Sequence, residues 1–396
     1  CRISASKGGH TVLAEVVGFH DRGALLMPLG RLEGVHPGSV VEPLGRTLGA
    51  DVGPNLLGRV INGLGQPIDG KGPINGTHRV PMLADPPNPM ERVIIEEPLA
   101  TGVRSIDGML TFGRGQRVGI FAGSGVGKST LLGMMARHTS ADVNVIALLG
   151  ERGREVRDFL DNALGPAGLA RSVVIVATGD EAALIRARGA QLATAIAEYY
   201  RDQGKHVMLM VDSITRVAMA WREIGLAVGE PPTTKGYPPS VFASLPRLLE
   251  RAGNGVRGGI SGIYTVLVEG DDFNEPIADA ARSILDGHVI LSRRLATAGH
   301  FPAVEVLEST SRVRDQIVDA DQRRAAERVQ RLMAIYREKE DLISVGAYQA
   351  GSDTVLDMAV RMRDAIESFL IQSPDEHAHF ADTKRALLEL AAAAAA

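Results

Sequence analysis

The chain has 396 residues, 45% of them apolar and 4% aromatic, with a formal charge of −4. That profile suits an α/β protein of two or three domains with a sizeable core, and it offers no basic footprint for nucleic acid. The lone cysteine, Cys1, excludes a disulfide framework within the chain and fits a reducing compartment; no run of 18 apolar residues and no signal peptide stand out.

Cys1 in place of Met points to a natural N-terminus further upstream, with room for a targeting or docking segment. At the other end, Ala391 to Ala396 reads as a tag and is set aside.

From Cys1 to about Pro81 the sequence is rich in short Gly, Val and Leu runs. Strands are expected over Thr11–Phe19, Ala24–Met27, Ser39–Glu42 and Gly58–Ile61. Turn signals separate them at His20-Asp21-Arg22-Gly23, Pro37-Gly38 and Asn62-Gly63. Close spacing of short strands suggests a small β-barrel, residues 1–84, with a structural or oligomerisation role. Pro81 to Pro89 (PMLADPPNP) excludes helix and interior strand and marks a linker near Asp85.

Residues 85–318 alternate strand-like and helical runs. Gln116–Phe121, Val143–Leu149, Ser172–Ala177, His206–Val211 and Ile263–Val268 are nearly all apolar, as strands buried on both faces are. Ala182 to Arg201 reads as helix. The alternation implies a mostly parallel sheet covered by helices. From about Asp321 the pattern is helical, with stripes Ala325, Val329, Leu332, Met333, Tyr336 and Val355, Ala359, Met362, Ile366, Phe369, broken at Leu342–Gly351. This predicts a helical domain over 319–390, on which Arg323, Arg324, Glu327, Arg328 and Arg331 form a solvated face.

The chain is organised around Ala122–Thr130, AGSGVGKST. It fits a phosphate-binding loop with Ala122 at the first glycine position. Gly123, Gly125 and Gly127, with Ser124 and Val126 between them, let successive N–H groups point at one anion. Lys128 places a mobile charge beside the β- and γ-phosphates, the Ser129 hydroxyl suits Mg²⁺, and Thr130 completes the loop. An apolar strand before it and helical Leu131, Leu132, Met134, Met135 and Ala136 after it are the setting the motif requires.

Hydrolysis needs more: a metal-side carboxylate, a group to position water, and a cation for developing charge. Asp212 ends an apolar strand and would stand beside the loop; a helix N-cap is the plainer alternative. Glu151, 23 residues after Lys128, could polarise water, with Arg152 positioning it or touching phosphate; a surface ion pair fits its charged run equally well. Composition does not choose a cation among Arg293, Arg294, Arg312 and Arg314.

Five stretches resemble the type III protein export ATPases of flagella and injectisomes, relatives of the rotary ATP synthase catalytic subunits. They are LLGERGREVRDF at Leu148–Phe159, VDSITRVAMAWREI at Val211–Ile224, GEPPTTKGYPPSVF at Gly229–Phe242, GDDFNEPIADAARSILDGHVILSR at Gly270–Arg293 and PAVEVLESTSRV at Pro302–Val313. The flagellar branch looks nearest. The resemblance implies a P-loop (RecA-like) domain between a β-barrel and a helical domain, with ATP and Mg²⁺ as ligands. It makes Glu151 the catalytic glutamate, Lys128, Ser129 and Asp212 the phosphate and metal groups, and Arg312 the finger that reaches a neighbouring subunit. Phe301 matches an adenine-packing aromatic, often Tyr in relatives.

It further implies a homo-oligomeric, hexameric ring in the cytoplasm, peripheral to the inner-membrane export machinery. The implied partners are a stator protein, a coiled-coil stalk protein, export chaperone–substrate complexes and the export gate. The alternatives are a rotary synthase or proton-pump subunit, a nucleic-acid translocase (disfavoured by the charge balance), and a nucleotide-binding scaffold without turnover.

Overall fold

The computed structural model of the protein describes residues 1–4, 11–20, 23–75, 78–268, 270, 272–273 and 275–394. Asp21 and Arg22 of the expected turn, and Asp271 and Asn274 of the GDDFNEP stretch, lie outside the described residues.

Strands β1 (Arg2–Ser4), β2 (Thr11–His20), β3 (Gly23–Pro28) and β4 (Val40–Glu42) form an antiparallel sheet ordered β3-β2-β1-β4. On β2, Val12 and Ala14 are buried while Thr11 and Leu13 are exposed, the alternation of a strand with one covered face.

The central sheet contains β5 (Arg59–Asn62), β6 (Arg117–Ala122), β7 (Val143–Leu149), β8 (Ser172–Ala177), β9 (His206–Asp212), β10 (Gly259–Leu267), β11 (Gly287–Leu291) and β12 (Thr310–Ser311). Their order is β12-β11-β6-β10-β9-β7-β8-β5, and the neighbours are parallel except at β11–β12. Here one expectation is corrected. The segment over 58–61 is a strand, but it pairs with β8 at the edge of this sheet, Ile61 opposite Ile175, and not with the N-terminal strands. An apolar run, Val60-Ile61, suits a covered sheet edge as well as a barrel, so local sequence does not distinguish the two.

Each central strand feeds two cores. Val145, Ala147, Leu149, Val207, Leu209 and Val211 face one side with helix α3, formed over Ala183–Asp202. Ile120, Ile146, Leu148, Met208 and Met210 face the other. That second face carries α1 (Arg104–Met109) and α2 (Lys128–His138), whose apolar side is Leu131, Leu132, Met134 and Met135. Between β9 and β10 runs α4 (Ile214–Ala227).

The C-terminal helices α5 (Ala320–Ser344), α6 (Thr354–Leu370) and α7 (Phe380–Ala393) continue this second core through Ala325, Val329, Leu332, Ala359, Met362, Ile366 and Leu387. Asp319 and Asp353 cap α5 and α6 by accepting from main-chain N–H groups one turn on. Two details differ from the sequence reading. Val355 is exposed, and its neighbour Leu356 takes the buried position. Ala391 is no loose tail: it is buried, and its carbonyl accepts from Arg328 at 3.1 Å. Arg323, Arg324, Glu327, Arg328 and Arg331 are all exposed, as a solvated face requires. Among the described residues no helix is long and apolar enough to cross a membrane.

Candidate active site

The loop after β6 opens directly into α2. Gly125 (φ 77°) and Gly127 (φ 87°) hold left-handed backbone conformations that side-chain-bearing residues avoid. Gly123 does not, so the expectation is narrowed to two of the three glycines. Gly127 is the N-cap residue of α2, which aims the helix's free N–H groups and its dipole into the loop. Ser124, Ser129 and Thr130 are exposed at the mouth; Val126 is buried and anchors the loop from below, leaving only its main chain for a ligand.

Register then sets the carboxylates. Leu148 on β7 lies opposite Asp212 on β9, so Glu151 emerges just past the carboxyl end of the sheet beside Asp212. Lys128 Nζ reaches both: it donates to Glu151 Oε1 at 3.2 Å and to Asp212 Oδ1. Asp212 Oδ1 also accepts from Thr265 Oγ1 on β10 at 2.6 Å. All three charged side chains are largely buried. Burial alone would lower the Lys128 pKa, but the charges of Asp212 and Glu151 outweigh it and hold the ammonium above its ordinary value. The lysine therefore stays protonated, as a phosphate-binding cation must.

The helix-cap reading of Asp212 fails, because Ser213 caps α4 through its Oγ, which accepts from Arg216 N at 3.3 Å. Asp212 is free to face the loop. Phe301 is 40% exposed, and a Cβ on Gly127 would stand 3.4 Å from its Cδ1 and Cε1, so the ring lies against the loop's last glycine.

Two expected residues are not drawn into this cluster. Arg152 leads into a short helix and points outward, paired with Glu155 at 3.6 Å. Arg312 follows edge strand β12, is exposed, and donates to the Arg282 carbonyl at 3.2 Å.

Two further groups escaped the sequence reading. Thr265, which buttresses Asp212, sits on an apolar strand with no local signal. Arg216 stands one turn after Asp212 on α4. Its stem fills the space beside Gly150, where a Cβ would lie 2.9 Å from Arg216 Cβ and Cγ. Its Nε is buried without a hydrogen-bond partner. A buried guanidinium nitrogen lacking an acceptor, next to Glu151, is suited to an anion brought by a ligand. The spacing Asp-Ser-Ile-Thr-Arg could have flagged it.

A glycine loop at a helix N-terminus binds polyphosphate; two carboxylates beside it add places for a metal and a water against the terminal phosphate. These features define a P-loop nucleoside triphosphatase.

Comparison with known proteins narrows the class. Residues 102–311 match the ATP synthase alpha/beta family nucleotide-binding domain, residues 1–45 its beta-barrel domain, and residues 318–389 the T3SS EscN ATPase C-terminal domain. The flagellum-specific ATP synthase of Bacillus subtilis (strain 168) is 54% identical over 98% of this chain and 89% of its own. The type 3 secretion system ATPase of Xanthomonas euvesicatoria is 55% identical over 97% and 87%. The assembled ATPase EscN of enteropathogenic E. coli, solved in complex with its central stalk EscO, superposes with a TM-score of 0.92 at 44% identity, covering 98% of this chain and 94% of that one. The chain belongs to the type III export ATPases, a branch of the ATP synthase alpha/beta family, and it is an ATPase.

Proposed function

We propose that the protein hydrolyses Mg-ATP as the energy-supplying ATPase of a type III export apparatus, delivering and unfolding export substrates for a flagellum or an injectisome. The observation that carries the catalytic part is Lys128 shared between Glu151 and Asp212 at the mouth of the loop. When ATP enters, its phosphates take over Lys128, and the two carboxylates are released for their own tasks. Glu151 orients and polarises the attacking water; Arg216 contributes charge from below. Ser129 and Asp212, a hydroxyl and a carboxylate with phosphate and water oxygens for company, suit Mg²⁺, which prefers such mixed shells to all-protein cages. The chemistry a metal held by Ser129 and Asp212 would supply there is neutralisation of phosphate charge. Phe301 receives the adenine face. Arg312, turned outward, acts across a subunit boundary as the finger completing a neighbour's site; Arg152, next to Glu151 in the chain, positions that carboxylate or touches phosphate once it leaves Glu155.

The working unit in this reading is a homohexameric ring, and a central stalk protein is its first partner; EscN assembled with EscO supports both. Stator protein, chaperone–substrate complexes and the membrane export gate complete the machine at the cytoplasmic face of the inner membrane. The domain limits proposed for it are 1–84, 85–318 and 319–390, with the strand over Arg59–Asn62 lent by the first domain to the central sheet of the second.

The test is ATPase activity against protein concentration for wild type, Glu151→Gln, Arg312→Ala and an equal mixture of the two variants. Activity per subunit rises with concentration, each variant alone is inactive, and the mixture recovers part of the rate. A fully active Arg312→Ala, or turnover independent of concentration, refutes the shared site.

A further inference from the structure

The turn that follows α6 contains a buried glutamine, Gln372, only 2% exposed. Its polar groups each reach a different piece of the chain. The main-chain N–H donates to the Phe301 carbonyl at 2.9 Å. The side-chain Oε1 accepts from Arg104 N at 2.7 Å. Nε2 donates to the Gly102 and Glu376 carbonyls, both at 2.8 Å. An amide has two N–H donors and an acceptor oxygen, and this environment uses all of them. Glutamate has the shape but lacks the donors; leucine has neither.

Arg104, at the first turn of α1, reinforces the same turn. Its Nε donates to Phe369 O at 2.7 Å, one terminal nitrogen to Ile371 O at 2.9 Å, and the other pairs with Glu376 at 2.7 Å. Residues 369–376 are thereby tied to the nucleotide domain at a group of points that includes Phe301.

The Phe301 ring is partly exposed and borders Gly127, so its attitude over the loop depends on where its main chain is held. One of those holds comes from the C-terminal domain. We infer that Gln372 is a positioning residue for the nucleotide base: by clamping residues 102–104 and 376 around its amide it fixes the height of Phe301 over Gly127, and so sets affinity for the base from the end of α6. The inference rests on Phe301 being the base platform. It also gives the C-terminal helices a direct mechanical route to the pocket, since a shift of α6 moves Gln372 and with it the Phe301 carbonyl.

The experiment compares wild type, Gln372→Ala, Gln372→Glu, Phe301→Ala and the Phe301→Ala/Gln372→Ala double variant. It measures KM and kcat for ATP, and the inhibition constant of magnesium tripolyphosphate, which offers phosphates without a base. Gln372→Ala and Gln372→Glu each raise KM about tenfold, the equivalent of one or two ordinary hydrogen bonds. kcat at saturation stays within about twofold and the tripolyphosphate constant does not move, which a general loosening of the domain would not allow. In the Phe301→Ala background the glutamine substitution adds less than about twofold, because the two act as one unit. Unchanged KM in both Gln372 variants with a raised KM in Phe301→Ala overturns the inference alone. So does an equal rise in KM and in the tripolyphosphate constant. A Phe301→Ala enzyme with wild-type KM overturns the base-platform reading beneath it.

Discussion

Gly150 is the last residue before Glu151, and its replacement by alanine tests whether Arg216 and Glu151 work together. Its φ of 76° is left-handed, which costs an alanine about 1–2 kcal/mol. The added Cβ would lie 2.9 Å from Arg216 Cβ and Cγ and 3.1 Å from Cδ. The outer stem can swing away, but Cβ belongs to α4 and moves only with the helix, adding about 1–3 kcal/mol of overpacking. A total near 3 kcal/mol lowers the melting temperature by roughly 6–12 °C, at about 2–4 °C per kcal/mol for a domain of this size. Displacing the guanidinium removes a preorganised donor from the phosphate side, a loss typically of about 10² in kcat. Thermal melts and steady-state ATPase assays on Gly150→Ala, Arg216→Ala and the double variant read both effects. The double variant should be no slower than Arg216→Ala. A Gly150→Ala enzyme with wild-type kcat would refute the reasoning, as would Arg216→Ala at full rate.

Two further outcomes are expected. Thr265→Val removes the hydroxyl that donates to Asp212, and a hydrogen bond to a charged group is worth about 1.5–3 kcal/mol; the Mg²⁺ concentration for half-maximal activity should rise at least several-fold in a magnesium titration, while an unchanged titration would free Asp212 of that support. His206, buried against Ser261 Oγ at 3.0 Å, has its pKa lowered to about 4, first by burial and then by Arg114. The folded state thus favours the neutral ring, so its contribution is present above pH 6.5 and lost as pH falls toward 4, by about 3 kcal/mol. The stability gap between wild type and His206→Gln, followed by denaturant unfolding, should therefore shrink across that window; a constant gap would contradict the assignment.

Much of this protein was legible in the sequence because its signals are local. Four apolar runs matched inner strands to within a residue, since a strand covered on both faces can hardly be anything but apolar. The fifth, read over Ile263–Val268, begins four residues earlier at Gly259, where small and polar residues hide the start, and the inner strand Gly287–Leu291 was not among the runs. AGSGVGKST identified the phosphate loop because glycine and lysine there answer to backbone geometry and charge within a few residues. Resemblance to known motifs then decided Glu151, whose functional and surface readings local sequence left balanced, and agreed with the metal-side role already favoured for Asp212 at the end of its apolar strand.

Other features were decided by tertiary structure alone. The strand over Arg59–Asn62 could have closed a barrel or extended the central sheet, and only pairing with β8 chose. Asp212 could have capped a helix until Ser213 was seen to do so. Thr265, Arg216 and Gln372 left little or no mark on the sequence, because their meaning is the partner each meets across strands or domains. Thr265 looks like any β-branched strand residue, Arg216 like a solvated helix charge, and Gln372 like part of a polar turn. The apolar period along a chain reports burial, which sequence neighbours share; a hydrogen bond across 53 residues, as between Thr265 and Asp212, depends on register and exists only once the sheet has formed.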